Sequence, residues 1–163
     1  MLFRSAKDLL TGALSRSDTP QGLTVTDGRT QDLVGSGELQ KLVKNTAAYF
    51  IEYRDGLKAT MLMLTGAVQD FNFAARLKGS PRIWSTQFLL TPEPNVTYSA
   101  CLMHKAAQMF ESGVAPYPVE RTLLVSGMLE SCLTSKAQNH ARLETPLLSV
   151  SYKPPRESQF PLG

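Results

Sequence analysis

The chain has 163 residues, enough for one domain with its own core, and its 42% hydrophobic and 19% charged content fits a folded globular protein. Seventeen basic against fourteen acidic residues leave a net charge of +3 with no two Lys or Arg adjacent, which argues against a nucleic acid partner. No apolar run approaches the roughly 20 residues needed to cross a bilayer, so a membrane protein is not expected.

Two cysteines, Cys101 and Cys132, fall in predicted helices and follow no secretory signal, so a reducing cytoplasm and two buried thiols are expected. At the N-terminus, Leu2-Phe3-Arg4-Ser5 is what the adapter-like string CTCTTCCGATCT encodes and reads as a non-native scar. The competing reading is a natural terminus whose Ser5 caps a helix. Ser5-Ala6-Lys7-Asp8 fits a capping box, and Leu9, Leu10, Ala13 and Leu14 follow at helical spacing before Ser15 to Pro20 breaks the run. Residues 1–20 are thus expected to form an N-terminal helix. Thr, Asp and Gly between Gly22 and Gly37 suit a loop with a brief strand at Leu23 to Thr26, and Glu38 to Lys44 has room for two helical turns.

Ala48 to Arg54 and Leu57 to Thr65 read as strands joined by Asp55-Gly56, a dipeptide suited to a type I′ hairpin turn. From Val68 to Leu77, Phe71, Phe73, Ala75 and Leu77 alternate with Asp70, Asn72, Ala74 and Arg76, so the aromatic face is expected inside and the mixed face outside. Ile83 to Leu90 supplies a further strand. The expected fold class is α+β: a mostly antiparallel sheet of five or six strands covered on one face by two to three helices.

The helices follow the strands. After Pro94-Asn95, the residues Tyr98, Cys101, Leu102, Ala106, Met109 and Phe110 form one stripe that ends at Gly113. Pro116-Tyr117-Pro118 fixes a link, with Pro118 suited to a first helical position and Glu120 to the positive end of the helix dipole. Val125, Met128, Leu129, Cys132 and Leu133 form a second stripe, widened by Leu123 and Leu124, so this helix is expected to be covered on more than one side. Leu147 to Tyr152 reads as a last strand of the main domain, residues 21–153, and residues 154–163 as a frayed tail.

Chemistry-bearing patterns are sparse. Gly35-Ser36-Gly37 is the nearest approach to a dinucleotide turn, but Gln40 stands where the third glycine belongs, and a loop leading into a helix is the simpler reading. Cys101, His104, Cys132 and His140 match no zinc spacing, and both cysteines lie on apolar stripes. Glu52, Tyr53, Arg54, Asp70, Asn72 and Arg76 are the polar residues that strands could align for a polyol, although such a face is more often wet or turned to a subunit. The expectation is no catalytic, cofactor-binding or metal residue in this chain, and an unknown substrate site.

Several local patterns resemble the C-terminal domain of the glucose-fructose oxidoreductase and inositol dehydrogenase (Gfo/Idh/MocA) family. They are the Arg54-Asp55-Gly56 hairpin after an aromatic strand, Tyr98 to Phe110 followed by Glu111-Ser112-Gly113, the Pro116 to Pro118 link, and Leu129-Glu130-Ser131 through Ser135. The resemblance implies an open antiparallel sheet that shapes a sugar or polyol site and joins subunits into a homo-oligomer, and NAD or NADP for a full-length parent. The family's Glu-Lys-Pro motif and its acid-base Asp and His have no counterpart here, so no catalytic residue carries over. Two expectations follow: the substrate-binding and oligomerisation domain of a truncated oxidoreductase, inactive alone, or a free-standing α+β binding or dimerisation module without enzymatic activity.

Overall fold

A computed structural model of the chain describes residues 2–17, 32–88 and 97–154. The strand expected at Leu23 to Thr26, the Pro94-Asn95 helix signal and the tail from Pro155 onward lie outside the described residues. The architecture is α+β with antiparallel strands. Where composition suggested one core, the chain divides into two compact units, Met1–Leu90 and Thr91–Gly163.

In the first unit, helix α1 (Leu2–Leu14) already runs through Ser5, so the capping box does not set its start. It ends in a tightened turn, where the Arg16 and Ser17 amides donate to the Ala13 and Leu14 carbonyls at 3.1 and 3.0 Å. Helix α2 (Glu38–Leu42) follows Gly37, whose φ of 78° no β-branched residue would accept without strain.

Strands β1 (Asn45–Glu52) and β2 (Lys58–Thr65) pair antiparallel from Asn45↔Thr65 to Glu52↔Lys58. Their turn differs from the expected type I′. The Gly56 amide donates to the Tyr53 carbonyl and the Tyr53 amide to the Leu57 carbonyl, and positive φ falls on Gly56 alone. That is a type I turn closed by a glycine bulge, with Asp55 Oδ1 accepting the Leu57 amide at 3.0 Å.

Strands β3 (Phe71–Arg76) and β4 (Ile83–Phe88) make a second hairpin from Phe71↔Phe88 to Arg76↔Ile83. The expected sheet of five or six strands is therefore replaced, among the described residues, by two separate two-stranded sheets. The cause lies in the segment after β2. The Ala67 and Val68 amides fold back on the Leu64 carbonyl, Gly66 takes a φ of 98° against the Leu42 carbonyl, and Ala67 is fully buried. The chain thus turns away from β2 instead of laying β3 beside it.

In the second unit, helix α3 (Thr97–Ser112) stops where expected, with Gly113 left-handed at φ 68° and its amide on the Met109 carbonyl. Helix α4 (Val119–Ala137) begins one residue later than expected, because Pro118 has extended backbone and serves as the N-cap. The expected double-sided cover of α4 is absent: none of its residues is fully buried, and Val125, Leu129 and Leu133 are exposed. Its end is held by the His140 amide on the Ser135 carbonyl and by Ser135 Oγ donating to the Ala141 carbonyl.

The last expected strand is not formed. Residues 146–148 make a 3-10 turn that begins with Pro146 and docks Leu148 on Gly127 of α4, and residues 149–152 continue without strand pairing. A Cβ at Gly127 would overlap Leu148 Cδ2, so only glycine leaves room for this contact.

Candidate functional site

The β3–β4 hairpin has two chemically distinct faces, and the structure covers the one that its sequence marks as outer. Asn72, Ala74 and Arg76 on β3 stand opposite Gln87, Ser85 and Ile83 on β4, and helix α1 packs against both strands. Close approach depends on small residues: a Cβ at Gly12 would lie 2.9 Å from Ile83 Cγ2 and 3.8 Å from the Ala74 methyl.

Polar groups then fasten the helix. Ser17, fully buried, donates to Asp70 Oδ2 at 2.9 Å, and Gln87 Nε2 donates to the same oxygen at 3.2 Å. Asn72 Nδ2 donates to Asp70 Oδ1. Arg16 Nε donates to Ser85 Oγ at 2.9 Å, and Arg76 pairs with Asp8 at 3.4 Å. The carboxylate accepts from three side chains and offsets the cost of its partial burial in that way. Asn72 Oδ1 is buried with no hydrogen-bond partner.

The opposite face carries Phe71, Phe73, Ala75, Trp84, Thr86 and Phe88, with no charge among them. Expected to be core, it is open instead: Phe71 and Phe88 are each 59% exposed, Phe73 49% and Trp84 47%. Across the strands Phe71 stands opposite Phe88, Phe73 opposite Thr86 and Trp84 opposite Ala75. At the margin Arg82 lies over the Trp84 ring, its Cζ 4.0 Å from the centroid.

The polar residues that strands were expected to align are split. Asp70, Asn72 and Arg76 belong to the α1-covered face of β3–β4, whereas Glu52, Tyr53 and Arg54 lie at the tip of the other hairpin, where Glu52 pairs with Lys58 at 3.9 Å. They do not form one polyol-binding face. Trp84, Phe88 and Arg82 escaped the sequence reading, although the alternation of Trp84, Thr86 and Phe88 already placed them with Phe71 and Phe73.

Other candidates carry less chemistry. Among the described residues no three His, Cys, Asp or Glu side chains gather as a metal site, and Cys101 and Cys132, expected to be buried, are free thiols that are partly exposed. The Gly35-Ser36-Gly37 turn does not fit a pyrophosphate. The Gly35 amide is taken by Asp32 Oδ1 at 2.7 Å, the Glu38 amide by Ser36 Oγ and the Leu39 amide by the Leu33 carbonyl, and Glu38 adds negative charge where an anion would sit. A depression of about 700 Å³ between the hairpin turns is lined by Asp55, Leu57, Arg76, Lys78 and Pro81, but Asp55 and Arg76 are already engaged. Among the described residues no helix is long and apolar enough to cross a membrane. Compared with protein-family models, with curated proteins and with solved structures, the chain matches none.

Proposed function

We propose that this chain is an assembly module that joins two copies through the Phe71, Phe73, Trp84 and Phe88 face, within a nicotinamide-dependent sugar or polyol oxidoreductase whose cofactor is held elsewhere. The oxidoreductase part rests on the sequence resemblance. The assembly part rests on one observation, an uncharged aromatic sheet face left open while the polar face of the same hairpin is covered. Patches of this kind on folded chains mark interaction sites.

Area supports a second copy as the occupant. An aromatic side chain buries about 150–250 Å² when fully covered, so four half-exposed rings offer roughly 400 Å² per face and about 800 Å² in a pair. A standard interface takes about 1,200–2,000 Å² in total, so the rings, with Arg82 over Trp84 at their margin, supply the dry centre of a small, weak dimer interface. A two-fold axis that runs the facing hairpins antiparallel also sets the two Arg82 side chains apart. The mixed face of the same hairpin is not the one proposed, because Arg76 on it faces α1 and pairs with Asp8.

Sedimentation velocity at tens of micromolar tests the assembly. A dimer is expected for the unmodified chain, a monomer for Trp84→Glu, and an unchanged dimer for Phe50→Glu on the other hairpin, where Phe50 is 82% exposed. A monomeric parent chain, or a Trp84→Glu dimer, would overturn it. The oxidoreductase part is tested separately by the coding sequence upstream of Met1: an in-frame dinucleotide-binding segment supports it, and a stop codon followed by a ribosome-binding site removes it in favour of a free-standing dimerisation module.

A further inference from the structure

We draw no further inference here: the strongest candidate, the polar cluster of Ser17, Asp70, Asn72 and Gln87 beneath α1, directs its donors to the Asp70 carboxylate and so belongs to the helix contact already described, leaving a single orphan acceptor, Asn72 Oδ1, to recognise any ligand.

Discussion

The two hairpins of the first unit are both antiparallel pairs, yet α1 packs on β3–β4, and among the described residues no helix packs on β1–β2 in the same way. On β1–β2 each face carries a bulky side chain in mid-hairpin, Tyr49 opposite Met61 on one and Leu62 opposite Ala48 on the other. On the covered face of β3–β4, Ala74 stands opposite Ser85, which makes a shallow seat for Gly12. Hydrophobicity alone would have sent the helix to the aromatic side. Its position goes instead with room for close approach at Gly12 and with the part-buried hydrogen bonds that Ser17, Asn72 and Gln87 make to Asp70.

The sharpest way to break the contrast is Gly12→Val. The added atoms meet the branched Ile83 side chain, and overpacking of this kind costs about 1–3 kcal/mol, here toward the upper end. Hydrogen exchange should quicken across Phe71–Arg76 and Ile83–Phe88 while Asn45–Thr65 keeps its protection. Equal loss in both hairpins would show that α1 supports the whole unit. Asp70→Ala comes next, because it removes the acceptor of the buried Ser17 hydroxyl and of the Asn72 and Gln87 amides, and a buried group left unpaired costs on the order of 1–3 kcal/mol. A net loss of about 2 kcal/mol in urea unfolding is expected; an unchanged midpoint would mean that the Gly12–Ile83 contact and the Arg16–Ser85 and Asp8–Arg76 pairs hold the helix without Asp70.

Gly56→Val probes the hairpin that lacks the helix. A left-handed backbone costs an ordinary residue about 1–2 kcal/mol, and a β-branched one at least that, so β1–β2 amides should lose protection and β3–β4 amides should not. The smallest effect is expected from Gly127→Ala. Alanine favours the helix by about 1 kcal/mol over glycine, but its methyl displaces Leu148, so global stability should change by less than about 0.5 kcal/mol. The local sign is the informative part: α4 amides should gain protection and those of Ser149 and Val150 lose it.

Much of this architecture was legible in the sequence. Strand-like runs between turn signals, with period-two alternation in Val68–Leu77, located four strands, Gly56 and Gly113 marked a turn and a helix end through their need for positive φ, and the apolar spacing located α3 and α4. Alternation shows that a strand has two faces but not which one a helix will choose, and here the choice turned on Gly12, a residue with no side chain to draw attention. The last strand failed for a similar reason. Leu147 to Tyr152 has strand-like composition, yet Pro146 and the contact of Leu148 with Gly127 override it. Of the candidate face, the alternation of Phe71 and Phe73 points to the interior, where the structure leaves both rings half-exposed beside Trp84.

Trp84 is the chain's one tryptophan, and it sits half-exposed with a guanidinium above its ring. That makes its emission an optical gauge of the aromatic face. The nearby positive charge should draw iodide toward the indole and repel caesium, so the anionic quencher should act more strongly than the cationic one, and added salt should narrow the gap. When another surface covers the ring, both quenchers should lose access together and the spectrum should shift to the blue, without any label on the protein.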